Sequence, residues 1–391
     1  MNIDLILIVW AILCFIFIGF PSAYHLYTKS RAIKPWRLNI DTKYKPNISI
    51  LVPMHNEEKT IRFKLENLYK VKYPPEKAQI IIVNDGSTDK TLERLYSFVN
   101  SHQGLDIKIL NSKAQIGKSN SLNYALKNAT GDVIVVSDAD CFWPSDILTK
   151  ALPYLSDSNI GAIVGREVLL NPQQSWVTKG ELSYNNFVQT IRLGESKICS
   201  TIFFQGGFAA YKRAFLDEFD NETDDSGTAL NIVQRQNRTL LIPEALFYTF
   251  FPIKWRNKIT TKTRRANQLQ RIWIKCLKLS LQGKLVLPKR IALPEIFLHI
   301  FNPIIFVALL LVTVLLIVEY PISLLAFLFI LLPIFLVSKS RAFLIEMVQN
   351  NVILLNSIMT LITNKKFKIW ETVDESRLLL NENFLQEKKL I

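Results

Sequence analysis

The stretch Gly131–Trp143 reads GDVIVVSDADCFW. Val133, Ile134, Val135 and Val136 are four consecutive apolar β-formers, which predicts a short buried strand. The chain then breaks into Ser137-Asp138-Ala139-Asp140. In an open α/β sheet ligands sit beyond the carboxyl ends of the strands, so both carboxylates arrive where a ligand would lie. Two aspartates at i and i+2 can hold a hard divalent cation through oxygen and leave coordination positions for phosphate oxygens. A solvated Asp-rich turn has the same local sequence, so the rest of the chain has to decide.

Upstream, strands and helices alternate. Asn47–Val52 (NISILV) is expected as a strand running into Pro53-Met54-His55-Asn56-Glu57-Glu58. The helix Thr60–Tyr69 follows, with Ile61, Leu65 and Leu68 at helical spacing. Gln79–Val83 is a second strand ending in Asn84-Asp85-Gly86-Ser87-Thr88-Asp89, with Ser87 or Thr88 as the expected cap of the helix Lys90–Val99. A third strand, Asp106–Leu110, leads to Gln115-Ile116-Gly117-Lys118-Ser119 and the helix Asn120–Lys127. This alternation predicts an α/β fold with a parallel sheet covered by helices on both faces. Three strands deliver polar residues at their carboxyl ends: Asn56 and Glu57, Asp85, and Asp138 with Asp140. With Lys118 heading a helix, they amount to a candidate nucleotide site. No GxGxxG follows the first strand, and Gly117-Lys118-Ser119 lacks the upstream glycine of a P-loop. Phosphates would therefore be neutralised by cations, through Mg²⁺ or Mn²⁺ on the aspartates and through Lys118.

The 391 residues carry a formal net charge of +14, unevenly spread. Between Glu244 and Glu295 there is no acidic residue, while lysines and arginines recur from Lys254 to Arg290. Such a block calls for a diphosphate or anionic lipid headgroups; a nucleic-acid partner is not expected, because no matching motif accompanies the charge. Cys14, Cys141, Cys199 and Cys276 lie far apart without CxxC spacing, as free thiols do. The apolar run Leu5–Phe20 is followed by Lys29, Arg31, Lys34 and Arg37 with no basic side chain before it. That reads as an anchor with its N-terminus outside, against the rival of a cleaved signal peptide. Ile296–Val318 and Pro321–Val337 are expected as a transmembrane hairpin with both flanks cytosolic. Ala342–Ile362 mixes apolar residues with Glu346, Gln349, Asn350, Asn351 and Asn356, so it is either an interfacial amphipathic helix or a further span. Asn364–Ile391 reads as a charged cytosolic tail.

Four motifs in order, Pro53–Glu57, Val83–Asp89, Gly117–Asn123 and Asp138-Ala139-Asp140, resemble the family 2 glycosyltransferases of GT-A fold. More specifically, they are similar to the membrane-anchored members of that family, which include hyaluronan, chitin and cellulose synthases and glycolipid-forming transferases. The resemblance implies donor binding by Pro53, Asn56, Glu57, Asp85, Lys118 and Asp138, with a metal on Asp138 and Asp140. Phe203–Arg213 looks like the family's glycine-bearing strand beside the transferred sugar, with Gly206 and Gly207 leaving it room. Thr223-Asp224-Asp225 resembles the Thr-Glu-Asp motif whose last residue is the general base, which assigns that role to Asp225 and puts Asp224 beside the acceptor; capping the next helix is the plainer use of either residue. The Gln-x-x-Arg-Trp motif of processive members is present only in displaced form. Arg264, Arg265, Gln268, Arg271 and Trp273 can be aligned to it in two ways, neither complete. An arginine there would stabilise the leaving diphosphate; a lipid-facing helix would carry the same residues.

The domains implied are an N-terminal transmembrane anchor (1–27), a juxtamembrane linker (28–46), a GT-A domain (47–250), basic interfacial helices (251–293), a transmembrane hairpin (294–338), and an amphipathic helix with cytosolic tail (339–391). The function implied is inverting, metal-dependent transfer from a nucleotide-diphosphate sugar, a UDP-sugar by preference, to a lipid or lipid-linked glycan acceptor. Transfer would take place at the cytosolic face of the plasma membrane. A processive polysaccharide synthase is the alternative, and the few C-terminal spans argue against a polymer channel. A catalytically inactive nucleotide-sugar-binding scaffold is the other, and it has no physical need for Asp85, Asp138, Asp140 and Asp225 together.

Overall fold

The computed structural model describes residues 3–102, 104, 106–363, 375, 377, 380 and 382–391. It divides into two compact units, one of Met1–Ala32, Pro172–Gly194 and Lys254–Lys365, the other of Ile33–Asn171, Glu195–Ile253 and Lys366–Ile391. The stretch 172–194, expected inside a continuous 47–250 domain, clusters with the apolar helices instead, as most of a helix spanning Trp176–Ile198.

The second unit is built on one eight-stranded sheet. Its strands are β1 (Ile48–Met54), β2 (Ala78–Asp85), β3 (Asp106–Ser112), β4 (Val133–Val136), β5 (Cys141–Phe142), β6 (Ile160–Leu169), β7 (Ala209–Lys212) and β8 (Arg238–Thr249). They lie in the order β3-β2-β1-β4-β7-β6-β8-β5. The first four are parallel, as the alternation predicts. β7 then enters antiparallel between β4 and β6, which the βα pattern does not foresee. β1 and β4 are buried along their whole length, which is why β4 is a continuous apolar run and β1 is one broken only by Ser49, whose hydroxyl donates to Gln79. Register pairs Met54 with Asn84 and Leu51 with Val136, so the segments after β1, β2 and β4 emerge at one edge.

Three local expectations are corrected. The helix Thr91–Ser101 is started by Asp89, whose Oδ1 accepts the Thr91 N–H at 3.0 Å, and neither Ser87 nor Thr88 caps it. Ser87 Oγ accepts the Asn56 N–H and the Thr88 N–H reaches Asn56 Oδ1, stitching the loops after β1 and β2 together. Gly206 and Gly207 occupy a turn that precedes β7 rather than the strand itself. The described part of the expected tail is anchored rather than free: Leu385, Leu390 and Ile391 are buried with Phe142 and Leu170 in a satellite core, while residues 386–389 stay exposed. The expected charged stretch from 364 to 374 lies outside the described residues.

The first unit is helical. Among the described residues, Ile3–Ala32, Lys289–Glu319 and Leu344–Ile362 are long and apolar enough to cross a membrane. The second arm of the expected hairpin is the 14-residue helix Ser323–Leu336, about 21 Å long against a hydrocarbon core of about 30 Å. Four of the polar residues that obscured 342–362, Glu346, Gln349, Asn350 and Asn351, are engaged within the unit. Glu346 pairs with Lys258 Nζ at 2.5 Å and Lys262 Nζ at 3.1 Å, and Thr360 accepts from Asn267 at 2.8 Å. What this helix leaves exposed is mostly apolar, Val348, Val352, Met359 and Ile362, with Asn356 among them.

Candidate active site

Everything in this site belongs to the sheet unit. Asp85 ends β2 and is fully buried. Its Oδ1 accepts the Ile116 N–H at 2.8 Å and its Oδ2 the Gly117 N–H at 3.0 Å. Its carboxylate thus fixes the loop that delivers Lys118. Gly117 has φ +89°, a left-handed conformation that suits glycine at the turn into the helix Lys118–Leu126. Gly117 and Ser119, on either side of Lys118, line a cleft of about 260 Å³ with Ile116, Asn120 and Asn221.

Lys118 is the point of convergence. Its Nζ lies 2.8 Å from Asp138 Oδ1, 2.8 Å from Asp224 Oδ2 and 3.5 Å from Asp225 Oδ2. Burial works against its charge, but Asp138, Asp224 and Asp225 outweigh it and push the ammonium's pKa well above its usual value. Burial raises the Asp225 carboxyl to about 7, with the like charge of Asp224 adding to the rise and Lys118 opposing it. Asp225 stands at the N-cap of the helix Ser226–Gln234 but makes no side-chain cap bond. The capping use of this carboxylate is therefore not the one the fold makes of it.

The acidic turn after β4 is fixed from several sides. Ser137 N–H donates to the Leu51 carbonyl at 3.0 Å and Asp138 N–H to the Gly206 carbonyl at 2.7 Å. Trp143 is fully buried, and its indole Nε1 donates to the Gly207 carbonyl at 2.7 Å. A Cβ at Gly206 would run into Lys118 Nζ and the Asp138 carboxylate, and one at Gly207 into the Phe247 ring. A side chain at either position would thus displace these groups, the Lys118–Asp138 pair at Gly206 and the buried Phe247 ring at Gly207.

Asp138, Asp140 and Cys141 offer ligand atoms that all lie within 4.8 Å of one another. The two carboxylates are hard oxygen donors suited to Mg²⁺ or Mn²⁺. Burial, with Asp140 and Asp138 adding to it, pushes the Cys141 thiol well above its ordinary range. Two carboxylates beside one thiol make a donor set that leans toward a hard cation.

Glu57 is buried and bound by a residue the sequence gave no sign of. Arg377 Nε donates to its Oε2 at 2.8 Å, Arg377 Nη2 meets its Oε1, and Thr60 Oγ1 donates to Oε2 at 2.5 Å. Burial lifts the Glu57 carboxyl above its ordinary range, Arg377 opposes this, and the Asp140 charge adds to the lift. Pro53 is buried within β1, and Asn56 takes φ +53°.

Asp138, Asp140, Asp224, Asp225, Lys118 and Gly206 are therefore brought together, with Asp85 directly behind. Arg264, Arg265, Gln268, Arg271 and Trp273 belong to the helix Trp255–Leu281 of the other unit. There Arg265 is exposed, Arg271 Nε donates to Asn267 Oδ1 at 2.9 Å, and Trp273 is buried, stacked on His299 with centroids 5.9 Å apart. Lys64 was missed from sequence, although it lies three residues after Ile61 and one before Leu65, on the helix's apolar stripe. It is fully buried beneath the acidic turn.

Residues 49–220 match the family model described as Glycosyl transferase family 2. The chain is 27% identical over 280 residues to "Probable glycosyltransferase YdaM" of Bacillus subtilis, covering 69% of this chain and 66% of that protein. It is 33% identical over 138 residues to the beta-monoglucosyldiacylglycerol synthase of a Nostoc species, covering 35% of this chain and 30% of the relative. It thus spans less than two thirds of the length of either. A mannosyltransferase from Pyrobaculum calidifontis, solved in complex with GDP-Man and Mn²⁺, superposes with a TM-score of 0.80 at 26% identity, covering 92% of this chain and all of that one. The sheet order, the acidic turn after β4 and these likenesses agree: the chain carries a family 2 glycosyltransferase domain of GT-A fold.

Proposed function

We propose that this chain transfers a glycosyl group, with inversion, from a nucleoside-diphosphate sugar to a lipid or lipid-linked glycan acceptor at the cytosolic face of the membrane. The observation that carries the reading is the convergence of Asp138, Asp224 and Asp225 on Lys118. The Pyrobaculum mannosyltransferase binds GDP-Man and Mn²⁺, which supports a nucleoside-diphosphate donor and a divalent ion here. The Nostoc relative is named for a diacylglycerol product, which supports a lipid acceptor.

In this mechanism Asp138 and Asp140 hold Mg²⁺ or Mn²⁺. The ion, when bound, offsets the negative charge that builds on the departing diphosphate. Asp225 takes the proton of the acceptor hydroxyl as that oxygen bonds to the anomeric carbon from the far side. The carbon–oxygen bond to the diphosphate breaks, and the nucleoside diphosphate leaves with the electron pair. A base whose pKa lies near the working pH is matched to this task. Lys118 couples the two halves, since its ammonium meets both the base pair and a metal carboxylate. Gly206 keeps the space beside them clear for the sugar. Asn56 is assigned to the nucleotide end, with Asp85 and Glu57 fixing the loops behind it.

Membranes bearing the chain, incubated with labelled nucleotide sugars, Mn²⁺ or Mg²⁺ and total lipid extract, test this. Label entering the organic phase as a discrete species, and lost in Asp225→Asn, is the expected result. A size ladder in the aqueous phase would replace the glycolipid product by a polymer. Donor binding without any transfer would leave only the scaffold.

A further inference from the structure

A fully buried charge of the sheet unit lies directly under the acidic turn. Lys64 belongs to the helix Ile61–Tyr69 and is 0% exposed. Its Nζ donates to Ser137 Oγ at 2.6 Å and to the Cys141 carbonyl at 2.6 Å. Those residues immediately precede and follow Asp138-Ala139-Asp140, so one ammonium grips both ends of the turn. Nζ also lies 4.9 Å from the centroid of the Trp143 ring, whose indole holds the Gly207 carbonyl.

An ammonium removed from water is expensive unless its donors are satisfied and negative charge is near. Here two donors are taken by the turn. Burial lowers the Lys64 pKa to about 8, while Cys141, Asp138 and Asp140 pull it upward. The helix otherwise buries Ile61, Leu65, Leu68 and the hydrogen-bonded Asn67, and an apolar side chain at position 64 would be cheaper to pack. The placement makes sense if the turn needs holding.

We propose that Lys64 is a positioning residue for the metal-binding turn: it clamps Ser137 and Cys141 so that the Asp138 and Asp140 carboxylates stand ready for the divalent ion. This rests on the assignment of that ion to Asp138 and Asp140. Partners behind the ligands fix ligand orientation, and their loss typically weakens metal affinity by about 10–100-fold. The sign is diagnostic. If Lys64 acted only through its charge, neutralising it would remove repulsion and tighten cation binding. A clamp predicts the opposite.

The experiment measures Mn²⁺ affinity by electron paramagnetic resonance on the full chain in detergent, with no donor present. Wild type, Lys64→Met, Ser137→Ala and Asp140→Asn are compared, with melting curves as a check on folding. The expected result is roughly 10–100-fold weaker binding in Lys64→Met, and a smaller loss in the same direction in Ser137→Ala. Wild-type or tighter affinity in folded Lys64→Met overturns the proposal. Should that variant not fold, Ser137→Ala, which keeps the ammonium and its bond to Cys141, decides: unchanged affinity there overturns it equally. Binding that ignores Asp140→Asn refutes the metal assignment and the clamp together. Binding that needs Asp140 but ignores Lys64 removes the clamp alone.

Discussion

If Asp225 is the base, its neighbours set the pH at which the reaction switches on, and they do so in opposite directions. Its pKa of about 7 places the ionisation inside the assayable range. Below that value the ionised fraction, and with it the rate at saturating donor, falls about tenfold per pH unit. The charge of Asp224 raises this pKa, so Asp224→Asn moves the acid limb to lower pH. Lys118, 3.5 Å from Asp225, lowers it, so Lys118→Met moves the limb to higher pH. A unit charge at about 4 Å interacts by about 1 kcal/mol in water-like surroundings and about 4 kcal/mol near a protein surface. With 1.36 kcal/mol per pKa unit, the displacement is roughly 0.7 units or more. The assay is the kcat–pH profile from pH 5 to 9 at saturating donor, with Mn²⁺ saturating for each of the three proteins. Profiles that superpose, or that move the same way in both variants, would refute the assignment.

Three further outcomes are expected. Asp140→Asn removes Mn²⁺-dependent donor binding in calorimetry while the melting temperature stays close to wild type; retained binding takes Asp140 out of the metal site. Trp143→Phe strips the indole donor from the buried Gly207 carbonyl and costs about 1–3 kcal/mol, read as a lower denaturant midpoint. Arg377→Met leaves Glu57 buried without its cation and costs about 3–5 kcal/mol. A midpoint within error of wild type would show that the pair does not form in solution.

The parallel half of the sheet was legible because β1, β2 and β4 carry their burial in local sequence and alternate with helices. The acidic turn was legible only in company: Val133–Val136 ending in two aspartates also suits a solvated turn, and the neighbouring strands with polar carboxyl ends favoured a site. The far half was not. β7 is four residues, Ala209–Lys212, inserted antiparallel by partners on both sides, and no local pattern announces such a pairing. Glycines 206 and 207 were recognised but assigned to a strand, because their need arises from Lys118, Asp138 and Phe247, all remote in sequence. Arg377 sits 320 positions from Glu57, beyond the reach of any periodicity. Lys64 alone left a clue, a charge on an apolar stripe.

The bond from Asp138 N–H to Gly206 and that from Trp143 to Gly207 tie the proposed floor of the sugar site to the turn bearing the acidic pair. Retooling this scaffold for a bulkier or smaller hexose by altering that floor would disturb the ion-binding end in the same stroke. Variation in sugar preference among such enzymes should therefore accumulate along the cleft's outer walls, where a residue can change size without taking the reaction centre with it.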